Sequence, residues 1–176
     1  MEYEIKEQLS DSKYFTAFQS KIVTINGPLG MVLKVKRLTE TATLPTFGDP
    51  DAAGCDLYAD LNGENSIIVR PGSLVAISTG IACEFPEWYF GMVVPRSSVG
   101  TKRGLVLANT VGIIDNSYRG DIMMIFRNVS DDAQEIHHRE RLAQMILLPY
   151  VKYSIEDTDT LSETERGEGG FGSTGK

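Results

Sequence analysis

Two segments of this sequence combine groups that bind anions or move protons with glycine-containing turns that would expose them. The segment PRSSVG at 95–100 follows an apolar run and carries Arg96, two hydroxyls and a glycine. At the end of a strand, such a set can bind phosphate through charge, hydroxyl donors and close backbone approach. It also fits an ordinary helix start with Ser97 or Ser98 as N-cap. The two interpretations are compatible, because the start of a helix attracts anions.

The segment GIIDNSYRG at 112–120 places a carboxylate among apolar residues beside a turn. One interpretation is a hairpin in which Asp115 and Asn116 satisfy the backbone of the turn. The other is a general base, Asp115, with the ring of Tyr118 packed nearby against a substrate. The residues alone leave both interpretations open.

Three further segments are weak when each is taken alone. Asp56, in AGCDLY at 53–58, could be a surface acid, and Gln144, in RLAQ at 141–144, could be a polar residue at a strand edge. The end of the chain, RGEGGFGSTGK at 166–176, fits a floppy terminus. It also fits a nucleotide lid, because glycine lets backbone amides approach phosphates and an aromatic ring can stack on a base.

The charge balance limits the partners of the protein. The chain has 17 Lys and Arg against 24 Asp and Glu, a formal net charge of −7. This balance argues against binding to a nucleic-acid backbone or a polybasic association with membranes. Five of the acids lie in 154–165, which predicts an exposed linker. A phosphorylated ligand must therefore be met locally, by a few Arg or Lys, by backbone amides or through a metal.

The cysteines and the hydrophobic runs predict the compartment. Cys55 and Cys83 are too few for a disulfide framework or a four-cysteine zinc site, so we expect two unreactive thiols in a reducing compartment. The start of the sequence has no apolar signal region, and the densest apolar run, 145–151, is far below the roughly 18 residues of a membrane span. We expect a cytoplasmic protein, or one of the host-cell cytoplasm if a virus encodes it.

The elements that must position these groups are mostly strands. A period of two begins at Met31, and turn residues separate the apolar runs that follow. The predicted strands are 32–37, 67–70, 74–82, 89–94, 105–108, 122–126 and 143–153. This pattern predicts an all-β, jelly-roll-like sandwich or barrel over 31–153. Residues 1–30 are predicted to be an appendage with a helix and a loop, and 154–176 an acidic linker with a glycine-rich lid.

In this order, the five segments resemble the motifs of the trimeric dUTPases, the deoxyuridine triphosphate nucleotidohydrolases. The resemblance covers about 31–176. It implies hydrolysis of dUTP to dUMP and pyrophosphate with Mg2+, which limits uracil in DNA and supplies dUMP for dTMP synthesis. It also implies a jelly-roll homotrimer with a swapped C-terminal segment, in which each active site is shared between subunits.

The resemblance implies a role for each matching residue. Asp115 would orient and deprotonate the attacking water, and Tyr118 would pack against the deoxyribose and exclude a 2′-hydroxyl. The uracil would be read by Asn109 and by the main chain around Gly112 and Ile114. Phosphates would be bound by Arg96, Ser97, Ser98 and Gln144. Asp56 would hold a Mg2+-bound water, while the metal itself would be chelated by the substrate phosphates. In the lid, the substrate-binding residues would be Arg166, Phe171, Gly172, Ser173 and Thr174.

The sequence departs from the family pattern at a few positions. Ser98 stands where many members have glycine, and the turn His138-Arg139-Glu140 lacks the glycine usual before the fourth motif. Two other functions remain as alternatives. A dCTP deaminase resembles the same pattern, but it needs a Glu where Ile125 stands. A regulatory protein on the same fold would dock a protein partner, for which 1–30 is the segment available.

Overall fold

The computed structural model describes residues 22–26 and 30–170, the former as backbone only. Within this part the chain forms thirteen strands and one helix, α1 Ser97–Arg103. The strands are β1 Ile22–Asn26, β2 Val32–Arg37, β3 Thr46–Phe47, β4 Gly54–Tyr58, β5 Ser66–Val69, β6 Leu74–Ile77, β7 Ile81–Glu84, β8 Tyr89–Pro95, β9 Leu105–Leu107, β10 Gly112–Ile114, β11 Met124–Asn128, β12 Gln134–His137 and β13 Arg141–Pro149.

The strands form four antiparallel sheets. The largest has the order β10-β8-β13-β4-β3, and the others are β1-β2-β7, β6-β11-β9 and β12-β5. The predicted all-β architecture is therefore confirmed. The large sheet matters most for function, because strands that are far apart in sequence lie side by side in it.

Alternation along the strands builds the core. In β11, Met124 and Phe126 are fully buried while Ile125 and Arg127 between them are exposed. β2 buries Leu33 and Val35 in the same way. Because successive side chains of a strand point to opposite faces, one face of each sheet enters the common core.

Some local predictions about secondary structure were wrong. The predicted strand 74–82 is broken at 78–80, where Gly80 has φ 64° and its missing Cβ would overlap Ala42 and Thr39. Only glycine meets both demands without strain. Helix α1 has Arg96, and neither Ser97 nor Ser98, at its N-cap, with no side-chain cap hydrogen bond. α1 ends at Gly104, whose left-handed φ of 64° is typical of a C-cap.

The two ends of the domain differ from each other. β1 pairs antiparallel with β2, so 22–26, part of the predicted appendage, is attached to a sheet. The helix predicted before it lies outside the described residues. After β13, residues 151–168 are exposed, and the predicted strand continues only to Pro149. In the described part of the chain, no helix has the length and apolarity needed to cross a membrane.

Candidate active site

A buried carboxylate organises the first part of the candidate site. The side chain of Asp56 is 1% exposed, and both of its oxygens face nitrogen donors. Arg96 Nε lies 3.1 Å from Oδ1, and Gln144 Nε2 donates to the same oxygen at 3.1 Å. Arg141 Nη1 donates to Oδ2 at 3.0 Å. A buried charge is tolerated when it is paired and hydrogen-bonded in this way.

Adjacent strands of the large sheet bring these residues together. Gln144 in β13 stands opposite Asp56 in β4, and β13 pairs on its other side with β8, which ends just before Arg96. The Arg96 N–H donates to Leu142 O at 3.0 Å and fixes the backbone at this end. The three segments are thus neighbours because β8, β13 and β4 are consecutive in the sheet. Sequence reasoning assigned no role to Arg141, although the residue begins the same segment as Gln144.

Basic side chains dominate the pocket beside this cluster, which we call the basic pocket. It has a volume of about 410 Å³. Its lining residues are Arg96, Ser98, Val99, Lys102, Arg103, Arg139, Glu140 and Arg141. Glu140 and the buried Asp56 behind the wall oppose five cations, which leaves an excess of three positive charges. A pocket of this charge on a chain of net charge −7 is suited to a polyanion.

A hairpin positions the second part of the site, around Asp115. Asp115 follows β10, which pairs with β8 so that Ile114 faces Gly91. Asn116 Nδ2 donates to Pro86 O at 2.7 Å and to Tyr89 O at 2.9 Å, and so ties the hairpin to the preceding turn. The Tyr118 N–H donates to Asp115 O at 3.0 Å. The backbone around Asp115 is therefore held, while its side chain is exposed.

The ring of Tyr118 has a defined place on this hairpin. Its hydroxyl donates to Asp121 O at 3.0 Å, and 45% of the residue is exposed. A Cβ on Gly120 would lie 2.6 Å from the ring carbon Cζ. Sequence reasoning missed Gly120, whose lack of a side chain lets the ring lie against the turn.

The residues predicted to bind uracil lie on this hairpin and in the turn before it, and they range from exposed to partly buried. Asn109 and Thr110 lie in the exposed turn before β10, and Thr110 has φ 64°, unusual for a β-branched residue. Gly112 lies opposite Val93, to which a Cβ would come within 3.1 Å. Ile114 packs against the core, while Ile113 is 57% exposed.

Asp115 and the basic pocket lie at opposite ends of β8. Asp115 lines another pocket of about 460 Å³, with Phe90, Ile113, Tyr150 and Lys152 among its walls, and the two pockets share no residue. Arg96 comes five residues after Gly91 along β8, which corresponds to about 17 Å at the rise of an extended strand. Within one chain, the predicted base therefore does not reach the predicted phosphate binders.

Of the remaining predicted site residues, the structure describes Ser97, Ser98 and Arg166. Ser98 lines the basic pocket, whereas Ser97 is exposed beside it and does not. Arg166 lies in the exposed C-terminal segment, where its Nε donates to Gly169 O at 2.8 Å. The predicted lid residues Phe171, Gly172, Ser173 and Thr174 lie outside the described residues.

A resident Mg2+ site does not fit the side chains of the described residues. In 30–170, no group of three His, Cys, Asp or Glu side chains is arranged to hold a metal. Asp56 directs both oxygens at Arg96, Arg141 and Gln144, so a contact to a metal-bound water would require one of these donors to move. A metal chelated by a triphosphate would not need protein ligands.

Both cysteines are free and buried. Burial raises the pKa of Cys55 to about 11 and that of Cys83 to about 12. The thiols therefore stay protonated and unreactive near neutral pH, since the thiolate is the nucleophile.

Comparisons with known proteins agree with this architecture. The sequence model of the family described as dUTPase matches residues 40–175. The deoxyuridine 5'-triphosphate nucleotidohydrolase of Escherichia phage T5 is 45% identical over 148 residues, which cover 82% of this chain and 99% of that protein. The protein of the same name from Hydrogenobaculum is 42% identical over 145 residues, covering 82% and 99%.

A solved structure gives the same result for the fold. The dUTPase of Staphylococcus bacteriophage 80alpha, determined with dUPNHPP, superposes with a TM-score of 0.73 at 27% identity, covering 82% of this chain and 98% of the other. The description of that structure states that phage dUTPases control transfer of virulence genes. The likeness supports the jelly-roll-like, all-β fold.

Proposed function

The chain belongs to the dUTPase family, and we propose that it hydrolyses dUTP to dUMP and pyrophosphate at a site assembled from more than one subunit. The observation that carries the proposal is the basic pocket, in which the buried Asp56 holds Arg96 and Arg141 at the wall. The pocket includes Arg96 and Ser98, to which the family resemblance assigns phosphate binding, and its positive charge on an acidic protein supports that assignment. The role of such a reaction would be to limit uracil in DNA and to supply dUMP for dTMP synthesis.

The chemical step places Asp115 at the α-phosphorus. A water gives its proton to the Asp115 carboxylate while its oxygen bonds to the α-phosphorus, and the bond from that phosphorus to the bridging oxygen breaks. Pyrophosphate leaves with the bridging oxygen, and dUMP remains. The exposure of the Asp115 side chain supports this role, because a carboxylate without a buried partner is free to contact water. Tyr118, with its ring fixed by its bond to Asp121, packs against the deoxyribose.

The phosphates lie with Arg96, Ser97, Ser98 and Gln144. Arg96 and Gln144 are already oriented by Asp56, so little side-chain entropy is lost when the substrate binds. Preorganised cations of this kind stabilise the charge that develops on the leaving pyrophosphate. Uracil is read at Asn109 and at the main chain of Gly112 and Ile114.

The separation of the two pockets supports a homotrimer with shared sites. Asp115 would act on phosphates held by another subunit, because the preceding Ile114 pairs with Gly91, which lies five residues, or about 17 Å of extended strand, before Arg96. The sheet face that carries Leu74 and Ile125 also presents exposed apolar side chains to a second subunit. Such faces are typical of oligomer interfaces.

The swapped C-terminal segment is supported by its own exposure. Four apolar side chains along it are more than 80% exposed, namely Val151, Tyr153, Ile155 and Leu161. These side chains would be covered if the segment crossed to another subunit. Arg166, Phe171, Gly172, Ser173 and Thr174 would then close over the substrate. Truncation after Glu165 tests this directly: a trimer that keeps its size and loses turnover supports the lid, and unchanged kinetics refute it.

Magnesium is proposed to arrive with the substrate, held by the oxygens of the triphosphate. It would neutralise part of the phosphate charge, and no side chain among the described residues is needed to ligate it. The water-mediated contact of Asp56 remains a prediction. In the structure, the contacts of Asp56 serve to place Arg96, Arg141 and Gln144.

The decisive experiment is pyrophosphate release from dUTP with Mg2+. The wild-type protein is expected to turn over, and D115N to lose the activity. D131N, which removes an exposed acid outside both pockets, is the matched control and should keep it. A wild-type trimer that releases no pyrophosphate would contradict the proposal. Release of ammonia from dCTP would instead support the deaminase alternative, against which Ile125 argues.

The regulatory alternative depends on 1–30, of which the structure describes only the strand at 22–26 and Gly30. A chain beginning at residue 31 separates this role from catalysis. If hydrolysis persists while binding of a protein partner is lost, both functions are present. If neither changes, the segment has no part in them.

A further inference from the structure

The turn before β13 contains a backbone conformation that its residue disfavours. Arg139 has φ 62°, in the left-handed region that glycine adopts freely and arginine does not. Residues held in such conformations persist only when the surrounding structure imposes them. An arginine here therefore needs an explanation beyond the turn itself, which a glycine would satisfy better.

The surrounding backbone does impose this conformation. The Arg139 N–H donates to Ala59 O at 2.8 Å, and the Ala59 N–H donates to Glu140 O at 2.9 Å. The His138 N–H donates to Asn65 O at 2.8 Å. The turn is thus tied to the end of β4 from both sides, and the direction of the residue at 139 is set by the fold.

That direction points the side chain into the basic pocket. Arg139 lines the pocket together with Arg96, Ser98 and Arg141. The other arginines there have acidic partners, because Arg96 and Arg141 meet Asp56 and Arg103 pairs with Glu140. The guanidinium of Arg139 makes no hydrogen bond or ion pair with any residue in 30–170. It is therefore a cation left available in a pocket that already has an excess of positive charge.

We propose that Arg139 is a further phosphate-binding residue, which contacts the diphosphate that ends the substrate and leaves as pyrophosphate. The assignment rests on the proposed function for the identity of the polyphosphate. The chemistry itself is general, since a guanidinium matches phosphate oxygens in a two-pronged hydrogen bond. The strained backbone at 139 is then explained by the guanidinium it places in the pocket, where a glycine would place no side chain.

The test is the affinity of the full-length protein for inorganic pyrophosphate and for dUMP, with the KM for dUTP measured in parallel. R139Q keeps a polar side chain and the backbone strain but removes the charge, and R139G removes the charge and the strain. Each should weaken pyrophosphate binding and raise KM about tenfold or more at low salt, the contribution of one charge-assisted hydrogen bond. Binding of dUMP, which lacks the diphosphate, should not change. R139K should lose less than R139Q.

Two readouts separate a binding role from a structural one. The pyrophosphate difference between wild type and R139Q should shrink at high salt, because the charge is exposed and screened. R139G should unfold at the same temperature as the wild type or a higher one, since it relieves the left-handed φ. N62G is the matched control, because Asn62 has φ 50° and lies outside both pockets. It should leave binding unchanged.

The outcomes distinguish this proposal from the proposed function. If R139Q binds pyrophosphate as tightly as the wild type, or if the wild type does not bind it, the role of Arg139 is refuted. Equal losses of pyrophosphate and dUMP affinity would refute it too, because they indicate a general distortion of the site. Failure of the wild type to hydrolyse dUTP would overturn the proposed function alone, and the pyrophosphate comparison would still decide the role of Arg139.

Discussion

The basic pocket and the Asp115 hairpin each hold a carboxylate of the same sheet, but the first buries and pairs it while the second leaves it exposed. In the basic pocket, a buried acid fixes its neighbours through Arg96, Arg141 and Gln144, and the arrangement is complete within one chain. On the hairpin, the backbone is fixed by Asn116, but the carboxylate of Asp115 is exposed and lies outside the basic pocket. One acid is buried and paired, and the other is exposed to solvent, as the proposed general base requires. The difference shows that burial and pairing, rather than residue type, decide which role a carboxylate takes.

The largest expected effect tests whether the exposed acid serves another subunit. D115N should lower kcat at least about a thousandfold, the loss expected for a general base, with no loss of stability because the side chain is exposed. R96A should also be inactive. When equal amounts of the two inactive chains are unfolded together and reassembled, about a quarter of all sites, or about one in three in mixed trimers, should combine an intact Arg96 with an intact Asp115 from its neighbour.

Recovered activity in that mixture, measured against each variant reassembled alone, would support sites shared between chains. If no activity returned although mixed trimers had formed, Arg96 and Asp115 would have to act within one chain. The inference that the active site is shared between chains would then be wrong.

The next effect should come from the buried acid. D56N removes the charge that holds two arginines, which are only partly exposed, and should lower the free energy of unfolding by about 2 kcal/mol. Because Arg96 and Gln144 lose their fixed positions, kcat/KM for dUTP should fall about tenfold to a hundredfold. Urea unfolding and steady-state kinetics measure the two quantities. If D56N were as stable as D115N, the contrast between the two acids would be wrong.

A smaller effect is expected at the ring beside the exposed acid. G120A places a Cβ 2.6 Å from Cζ of Tyr118 and must displace the ring. We expect kcat/KM for dUTP to fall about tenfold, with weaker discrimination against UTP, because the ring no longer fits the deoxyribose. G48A is the control, since a Cβ there meets nothing within 4 Å. Unchanged discrimination in G120A would remove Tyr118 from sugar recognition.

The smallest expected effect is on stability at acid pH and depends on the buried Asp60. Burial would raise the pKa of Asp60, but hydrogen bonds from Thr39, Thr41 and the Asn62 N–H, with nearby His138, outweigh it and lower the pKa. Stability from this group is therefore present above its unfolded pKa of about 3.9 and is lost as pH falls through the lower folded value. The urea midpoint should fall below pH 4, and less so in D60N. Equal acid sensitivity in both proteins would exclude Asp60 as the cause.

Much of the fold followed from local patterns, and its exceptions have specific causes. β2 and β8 were predicted because apolar residues there recur as a half-buried strand requires. The break at Gly80 was missed because its cause is the approach of Thr39 and Ala42, which are distant in sequence. A helix start at 95–100 was one interpretation of the sequence, but the extent of α1 was not predicted because seven residues are too few to show a helical period.

For the site, the residues and their assignment to phosphate binding were predictable from the family resemblance, and the contacts between them were not. Asp56, Arg96 and Gln144 could be nominated from their motifs, and the structure places them in contact. Arg141 escaped notice because its role depends on the register between β13 and β4. Arg139 could be flagged only as a missing glycine, since its φ and its place in the pocket depend on the bonds to Ala59.

The sequence by itself determined that the chain would be an all-β, jelly-roll-like sandwich or barrel, and which residues are chemically able to bind phosphate or activate water. Periodicity and side-chain chemistry are local properties, so both can be read from the order of residues. The tertiary structure decided that Asp56 is buried and paired while Asp115 is exposed at the far end of β8. That outcome depends on sheet order and register, which bring together strands separated by many residues and set the burial that fixes the role of each charge.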